Sequence, residues 1–324
     1  MTISIITSIF FLLAGFFILI KGADYLIRGS SSIASHLKIS PLVIGLTIVA
    51  FGTSAPELAV NVYSAVQGAN QLAIGNILGS NIANILLVLG IAAMIRSLSV
   101  RGQTVTKEIP FSLLAAVMVL IAASDIFLDH APYNVISRTD GLAFLGFFII
   151  FLYYSHSASK QVSQEVAKPI MLSRQRSFFY AIGGLVALFI GGRVIVDNAV
   201  NIAEFLNISQ TIIGLTVVAL GTSLPELVTS IVAIRKGEVD LAVGNIIGSN
   251  IFNIFFVLGL TATVAPIPFE AGSHLDAIIA IAASLVLFGA MFVGERHRLE
   301  RWVGALLVLS YISYITFRVV ESVV

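Results

Sequence analysis

Long apolar runs, separated by short polar connections, fill nearly the whole 324-residue chain. A transmembrane helix needs about 20 mainly apolar residues to cross the hydrocarbon core of a bilayer. By that measure the pattern predicts ten membrane-spanning helices and leaves no sizeable soluble domain. The predicted spans are residues 5–36, 41–66, 72–95, 109–128, 139–157, 177–206, 210–234, 241–264, 275–294 and 299–320.

The composition agrees with a chain whose surface faces lipid. Hydrophobic residues make up 58% of it and charged residues only 11%, whereas soluble domains carry about 25% charged residues. The absence of cysteine from the sequence rules out disulfides, thiol catalysis and Cys-based metal sites. Nothing in the charge balance supports nucleic-acid binding, and no obligate protein partner is evident. Because Lys21 follows the first apolar run, that run is predicted to be a retained helix, not a cleaved signal peptide.

An internal repeat divides the chain into two halves. Residues 45–90 match residues 214–259 without a gap at an offset of 169, and 26 of the 46 positions are identical when the two segments are compared residue by residue. The identities include Pro, Glu, Asn, Thr and Gly, which a shared apolar composition does not produce. We therefore predict a first five-span repeat at 1–157, a cytoplasmic connection at 158–176 and a second five-span repeat at 177–324.

Five spans per repeat is an odd number, so the second copy must cross the membrane upside down relative to the first. Inverted repeats of this kind are common in secondary transporters, where the binding site lies at the repeat interface near mid-membrane. The expected fold is all-α and polytopic, with ten transmembrane helices in two inverted five-helix repeats and broken helices at the core.

Basic residues in the connections predict the orientation, because cytoplasmic loops are enriched in Lys and Arg. With both termini outside, the outward side carries only Arg138 and Arg318. The inward side then carries thirteen basic residues: Lys38, Arg96, Arg101, Lys107, Lys160, Lys168, Arg174, Arg176, Arg235, Lys236, Arg296, Arg298 and Arg301. The sequence thus predicts a multi-pass protein of the cell membrane with external termini and a cytoplasmic central connection.

The repeated motif Gly-Thr-Ser-x-Pro-Glu places Glu57 and Glu226 within apolar spans. A carboxylate at that depth costs a few kcal/mol, on the order of 3, so it is a candidate functional residue. The alternative is a structural ion pair, but neither copy of the motif contains a basic residue. Pro56 and Pro225 cannot donate backbone hydrogen bonds, and a glycine lies four residues before each of them. Each span is therefore expected to break and to free carbonyls near Thr53 and Thr222. A proline kink stabilised by hydroxyl groups is the simpler alternative.

A second repeated motif, Gly-Asn-x-x-Gly-Ser-Asn, follows in the next span of each half. Its glycines, Gly75 and Gly79 with Gly244 and Gly248, are expected to allow close helix approach. Ser80 and Asn84 lie four residues apart on one helix face, as do Ser249 and Asn253. Alone such a motif often serves packing, but beside the acidic motif in both copies it favours ion binding.

The candidate ligands are all oxygen atoms, which suit hard cations such as Ca²⁺ or Na⁺. Two carboxylates carry a charge of −2, which one Ca²⁺ or two monovalent ions would neutralise. Ions that share the same carboxylates must compete, and competition at a site open alternately to each side is antiport. Two further intramembrane pairs, Asp24 with Arg28 and Arg193 with Asp197, form either cross-repeat contacts or local i, i+4 pairs.

These two motifs resemble those of the calcium/cation antiporter superfamily, in its sodium/calcium exchanger branch, with the chain as a prokaryotic member. The resemblance implies a calcium site of Glu57 and Glu226 with backbone oxygens of Thr53 and Thr222. It also implies two sodium sites, with Asn84 and Asn253 flanking the middle of the pocket. One sodium site comprises Ala50, Thr53, Ser54, Glu57 and Ser80, and the other comprises Ala219, Thr222, Ser223, Glu226 and Ser249.

The resemblance thus implies exchange of Ca²⁺ for Na⁺ by alternating access, with no cofactor and no enzymatic activity. Potassium-dependent relatives carry Asp at the position of Asn253, so the amide here disfavours K⁺ coupling. A Ca²⁺/H⁺ antiporter using the same carboxylates is the nearest alternative. An intramembrane enzyme and a passive cation channel are alternatives of other classes, although no nucleophile motif supports the former.

Overall fold

A computed structural model describes residues 2–159, 172–206, 208 and 219–323, and almost all of them lie in helices. The helices are α1 (Thr2–Leu37), α2 (Pro41–Thr53), α3 (Ala55–Val66), α4 (Asn70–Ile95), α5 (Thr104–Ala122), α6 (Asp125–Leu128), α7 (Arg138–Ser159), α8 (Arg174–Phe205), α9 (Ala219–Thr222), α10 (Leu224–Arg235), α11 (Val239–Val264), α12 (Ala271–Ala290) and α13 (Arg301–Val323). Within α2, α4, α5 and α11 the helix widens into π-helical turns at Gly45–Val49, Asn84–Val88, Thr104–Glu108 and Phe252–Leu258. Two-residue strands form at β1 (Leu98–Ser99), β2 (Val135–Ile136), β3 (Ile267–Pro268) and β4 (Arg298–Leu299).

The described residues contain eight helices long and apolar enough to cross a membrane. Helices α2 and α3 form a ninth span that bends by 45° at its break. The predicted seventh span, 210–234, begins in residues outside the described part, and its described portion is α9 and α10. The ten-span, all-helical fold is therefore confirmed. The basic residues Lys160 and Lys168 and most of the predicted connection lie outside the described residues.

Two predicted spans were displaced by several residues. The fourth span runs from Thr104 to Ala122, not from 109 to 128. The Ser124 hydroxyl bonds the Leu120 carbonyl at 2.6 Å, and the Asp125 carboxylate accepts the Val135 amide at 2.8 Å, which turns the chain out of the helix. The ninth span starts at Ala271 and ends at Ala290 instead of running to 294, where a turn leads to a positive φ of 71° at Gly294.

Helices α4 and α11, one from each half, form the interior of the molecule. In their most apolar stretches 78% and 94% of the residues are buried, against 22% in α13. The outer helices turn large apolar side chains outward, among them Phe10, Phe17, Phe179 and Ile149. The outer helices thus face lipid, and the polar motif residues lie at the centre of the protein.

The two halves are interlaced. Helix α13 of the second half packs against α4, and α7 of the first half packs against α11. Antiparallel bridges join the same partners, because β1 pairs with β4 and β2 pairs with β3. The last span of each repeat is therefore bound to the other repeat.

Helices α1 and α8 are long and cross at the closest distance that backbones permit. Gly15, Gly22 and Gly29 recur at seven-residue intervals on α1. On α8, Gly15 meets Gly191, Gly22 meets Gly184 and Gly29 meets Ala181. A Cβ atom on Gly22 would lie 2.9 Å from the Leu188 amide nitrogen, and one on Gly191 would lie 2.8 Å from the Leu19 amide nitrogen. Since Cβ atoms do not approach backbone so closely, only glycine permits this contact, and we call it the glycine seam.

Close approach also holds α2 against α11, as the second motif predicted. A Cβ atom on Gly244 would meet the Leu42 carbonyl and one on Gly248 would lie 2.8 Å from the Leu46 Cα. At Gly75 and Gly79 an added Cβ meets no described atom within 4 Å. The segment equivalent to α2 in the second half, 210–218, lies outside the described residues.

Candidate ion-binding site

A helix break in the middle of a span, one in each half, positions each acidic residue. Ser54 has φ −83° and ψ 4°, and Ser223 has φ −86° and ψ 1°, so neither continues the preceding helix. The ladder resumes when Leu58 donates to the Ser54 carbonyl at 3.1 Å and Leu227 donates to the Ser223 carbonyl at 3.1 Å. The predicted breaks are thereby confirmed, and they come one turn before each glutamate.

The breaks place each glutamate in the first turn of a new helix, Glu57 in α3 and Glu226 in α10. The free N–H groups and the dipole at a helix N-terminus favour negative charge there. Both glutamates are fully buried, with 0% exposure, and they lie close enough to interact electrostatically. This position stabilises two carboxylates deep inside an apolar protein.

The hydroxyl groups around each carboxylate come from both halves of the chain. Glu226 Oε1 accepts hydrogen bonds from Ser54 at 3.2 Å and from Ser249 at 3.3 Å. Glu57 Oε1 accepts one from Ser80 at 3.4 Å, and Ser223 donates to that Ser80 hydroxyl at 3.2 Å. The Thr53 hydroxyl reaches Glu226, and the Thr222 hydroxyl reaches Glu57.

This grouping differs from the one that the resemblance implied, which assigned Ser54 to Glu57 and Ser223 to Glu226. The inverted symmetry points the two breaks at each other, so Ser54 bonds the acid of the other half and Ser223 reaches Glu57 through the Ser80 hydroxyl. Thr53 follows the same rule, because its hydroxyl lies 3.3 Å from Ser249 Oγ. The ten side-chain candidates do come together at one place, although the partition between two sites changes.

The structure describes the hydrogen bonds of the Ala50 carbonyl more fully than those of the other candidate carbonyl, that of Ala219. The Ala50 carbonyl accepts the Ser54 amide at 3.0 Å and lies 3.3 Å from the Thr53 hydroxyl, so it keeps its helical hydrogen bond. Ala219 is the first residue of α9. The Ala50 carbonyl thus borders the hydroxyl cluster without being freed by the break.

A set of asparagines that the sequence reasoning did not single out joins α4 to α11. Asn81 Nδ2 donates to the Asn250 carbonyl at 3.2 Å, and Asn250 Nδ2 donates to the Asn81 carbonyl at 3.4 Å. Asn76 Oδ1 accepts the Thr222 hydroxyl at 3.0 Å, and Asn245 Oδ1 lies 3.1 Å from the Thr53 hydroxyl. Their identity in both repeats was the available signal, since Asn76, Asn81, Asn245 and Asn250 all belong to the duplicated motif.

Four oxygen atoms at the centre of this network have no hydrogen-bond partner among the described residues: Glu57 Oε2, Glu226 Oε2, Asn84 Oδ1 and Asn253 Oδ1. The amide nitrogens of the two asparagines point elsewhere, Asn84 Nδ2 to Asn250 Oδ1 at 3.0 Å and Asn253 Nδ2 to Asn81 Oδ1 at 3.1 Å. Buried acceptors normally have a partner. All four are acceptors, as a desolvated cation requires of its ligands, whereas the neighbouring Asn76 Nδ2 is an unpartnered donor.

The donor set is limited to two acids and neutral oxygens. Among the residues that the structure describes, no three His, Cys, Asp or Glu side chains come together. Carboxylate, hydroxyl, amide and carbonyl oxygens suit hard cations, while softer metals prefer imidazole or thiolate. The site is chemically suited to Na⁺ or Ca²⁺.

The two intramembrane ion pairs are local. Arg28 Nε lies 3.0 Å from Asp24, and Arg193 Nε lies 3.7 Å from Asp197. Asp24 has a further partner that was not predicted, Lys236 at the end of α10. None of these charges reaches the central oxygen cluster, so the acids there are not paired with these basic groups.

The chain matches the family described as sodium/calcium exchanger protein over residues 7–156 and 176–320. It is 39% identical to the putative antiporter CaxA of Alkalimonas amylolytica, covering 94% of this chain and 96% of that one. It is 32% identical to the sodium/calcium exchanger MaX1 of Methanosarcina acetivorans, with coverage of 94% and 96%.

Among solved structures, the sodium-calcium exchanger NCX_Mj soaked with Na⁺ and Sr²⁺ superposes with a TM-score of 0.83 at 33% identity, covering 96% of this chain and 99% of that one. The match extends through both repeats, and the family is one of transporters, which confirms the prediction that the chain is not an enzyme. The chain belongs to the sodium/calcium exchanger family of multi-pass membrane proteins, and its central oxygen cluster lies where its two inverted repeats meet.

Proposed function

We propose that this protein exchanges Ca²⁺ for Na⁺ across the cell membrane at the pocket between Glu57 and Glu226. The observation that carries the proposal is the set of four buried acceptor oxygens without a partner among the described residues. A cation bound among them would supply the partner that these acceptors lack. The relatives named as sodium/calcium exchangers support the same choice of ions.

The Ca²⁺ ion is proposed to bind between the two carboxylates. Glu57 and Glu226 supply the charge of −2 that neutralises it, and backbone oxygens of Thr53 and Thr222 complete the site at the breaks. Ca²⁺ takes six to eight oxygen ligands, so the Asn84 and Asn253 amide oxygens lie where further ligands are needed. Their nitrogens are already engaged, which fixes the oxygens toward the pocket.

The two Na⁺ ions are proposed to bind on either side of this centre, each with hydroxyls from both halves. One site comprises Thr53, Ser54, Ser249, Glu226 and the Ala50 carbonyl. The other comprises Thr222, Ser223, Ser80, Glu57 and the Ala219 carbonyl. Each carboxylate then serves both the divalent ion and one monovalent ion, so the two kinds of ion cannot be bound together. That competition couples their movements in opposite directions.

Alternating access is proposed to come from movement of α1 and α8 against the core. The glycine seam joins these two helices backbone to backbone, so they would move as one body. The core consists of α2–α4 and α9–α11, which hold the ion ligands. The proposed orientation, with both termini outside, follows from the basic residues in the connections.

The proposal is tested with purified protein in liposomes loaded with Na⁺ and diluted into Na⁺-free medium containing ⁴⁵Ca²⁺. Uptake driven by the outward Na⁺ gradient, and absent in liposomes without that gradient, is the expected result. A parallel preparation receives only a pH gradient. Uptake driven by the pH gradient and not by Na⁺ would identify a Ca²⁺/H⁺ antiporter and overturn the Na⁺ assignment. Uptake that needs no counter-ion would identify a channel.

A further inference from the structure

The two halves present equivalent residues in unequal surroundings. At the offset of 169, Asp24 on α1 corresponds to Arg193 on α8, and Ile27 corresponds to Val196. The Asp24 side chain is 24% exposed, whereas the Arg193 side chain is 73% exposed. Ile27 is fully buried and Val196 only partly. Helix α1 is therefore covered on a face that α8 leaves open.

Helix α10 provides the cover over α1. The two helices pack together, and at the end of α10 Lys236 forms an ion pair with the Asp24 carboxylate. The same ammonium group lies 3.5 Å from the Asp24 carbonyl oxygen, and Arg28 holds the carboxylate from the other side at 3.0 Å. On this side of the membrane the route to the ion pocket is closed.

The equivalent space between α8 and α3 is a cavity of about 310 Å³. Ala59, Val60 and Tyr63 of α3 and Val196 of α8 line it, and its inner end reaches Thr222 in the ion pocket. Tyr63 is exposed. The Tyr63 side therefore has a cavity next to the ion pocket where the Lys236 side is filled by the packing of α1 on α10, while the two glutamates remain buried.

In an inverted-repeat transporter, alternating access is largely a rocking of one bundle against the other around the fixed site. Helix α8 would then close on α3, and α1 would separate from α10 and break the contact of Asp24 with Lys236. The new contact cannot replace it. The residue equivalent to Lys236 in the first half is Gln67, so Arg193 would meet a neutral amide.

From this mismatch we infer that Asp24 and Lys236 form a one-sided latch that biases the ion-free transporter toward the state seen here, in which the cavity lies on the Tyr63 side. Both are positioning residues, since neither touches the ions. The inference rests on the proposed alternating access, and it does not depend on which ions are exchanged. With this latch, the ion-free pocket opens more readily to one face of the membrane than to the other.

The test uses the absence of cysteine from the chain, which makes any introduced thiol unique. Ala59→Cys places a thiol in the open cavity, and the equivalent Val228→Cys places one beneath α1 on the closed side. A membrane-impermeant thiol reagent is applied to each face of ion-free liposomes, and the two modification rates are compared. In the native background the Ala59→Cys thiol is expected to react faster.

Lys236→Met and Asp24→Asn are each expected to raise the rate at Val228→Cys and lower the rate at Ala59→Cys. The ratio of the rates should change by about two- to fivefold, the range that a partly exposed ion pair supplies. Lys236→Arg keeps the charge and should restore the native ratio. Arg235→Met, which removes a neighbouring basic residue without an ion pair among the described residues, should leave the ratio unchanged.

An unchanged ratio in both Lys236→Met and Asp24→Asn overturns the latch, as does an equal shift in Arg235→Met. Ca²⁺ uptake is measured on the same preparations, so a loss of the proposed exchange is recognised separately from a failure of the latch. The thiol rates report the conformation without transport. A latch can therefore be refuted in a protein that still exchanges ions.

Discussion

Asn81 and Asn250 each donate a side-chain hydrogen bond to the other's backbone carbonyl, at 3.2 Å and 3.4 Å. The pair lies where α4 contacts α11. The two residues occupy equivalent positions in the two halves, which an approximate twofold axis relates. Asn81 also accepts the amide of Asn253 at 3.1 Å. The Asn81 side chain therefore fixes both the contact of α4 with α11 and the orientation of the Asn253 amide oxygen in the ion pocket.

Asn81→Ala should lower stability and weaken Ca²⁺ binding together. The substitution leaves the Asn253 amide nitrogen without its partner, and interhelical polar contacts in membrane proteins contribute about 1–2 kcal/mol at most. Thermal unfolding in detergent and Ca²⁺ titration calorimetry measure the two effects. Asn198→Ala is the matched control, because the Asn198 amide donates to the Val194 carbonyl of its own helix at 2.8 Å. Equal losses in both variants would contradict this role for Asn81.

Glu57→Gln and Glu226→Gln should each reduce Na⁺-driven ⁴⁵Ca²⁺ uptake to the level of protein-free liposomes. Each removes one of the two charges that neutralise the ion, while the similar shape of the amide preserves the packing. Glu108→Gln is a control of equal burial, since Glu108 is 1% exposed but bonds Tyr154 between α5 and α7. Its uptake should remain near the native value. Native uptake by Glu57→Gln would remove that residue from the site.

Asn253→Asp should make exchange depend on an additional monovalent cation. A third carboxylate raises the charge of the pocket from −2 to −3, so Ca²⁺ alone no longer neutralises it. In the native protein, replacement of K⁺ by choline should leave ⁴⁵Ca²⁺ uptake unchanged, whereas in Asn253→Asp it should reduce uptake at neutral pH. A native protein that already requires K⁺ would disprove the charge argument.

Gly184→Ala should destabilise the protein, while Gly183→Ala should not. The added Cβ on Gly184 would overlap the backbone of Leu26 across the glycine seam, and the one on Gly183 meets nothing within 4 Å. Overpacking of this kind costs about 1–3 kcal/mol, whereas alanine in an open helix position gains up to about 1 kcal/mol over glycine. Melting temperatures of the two purified variants give the comparison. The neighbouring position controls for helix propensity.

Calcium should raise the melting temperature of the native protein but not that of the double variant Glu57→Gln with Glu226→Gln. A ligand present at 100 times its dissociation constant stabilises the folded state by about 2.7 kcal/mol. For a chain of this size that corresponds to a shift of several degrees, at roughly 2–4 °C per kcal/mol. An equal shift in the double variant would place the binding site elsewhere.

Much of the architecture could be predicted because a bilayer constrains a chain so strongly. The apolar runs indicated the spans, and the repeat with its odd span count indicated the inversion. The Gly-Thr-Ser-x-Pro motif predicted the breaks at Ser54 and Ser223. The end of α5 was missed because Ala123 and Ser124 are compatible with a helix, and only the hydrogen bond from the Val135 amide to Asp125 ends it.

Sequence reasoning named side chains that the structure brings together, but it did not predict how they pair. Side-chain pairing between halves depends on how the two breaks face each other, and sequence spacing within one half carries no information on that. Ser54 therefore appeared to belong with Glu57, although it bonds Glu226. The bonds between Asn81 and Asn250 could not be predicted for the same reason, although the identity of these residues in both repeats marked them as candidates.

The interlacing of the last spans, α7 with α11 and α13 with α4, has a consequence for how this molecule divides. Cleavage of the central connection would not separate two independent modules, because the last helix of each half packs against the other half. A single repeat would lack one side of its own packing and could be completed only by a second copy inserted in the opposite direction. The smallest complete form of this architecture is thus an antiparallel pair, which the present protein contains within one polypeptide.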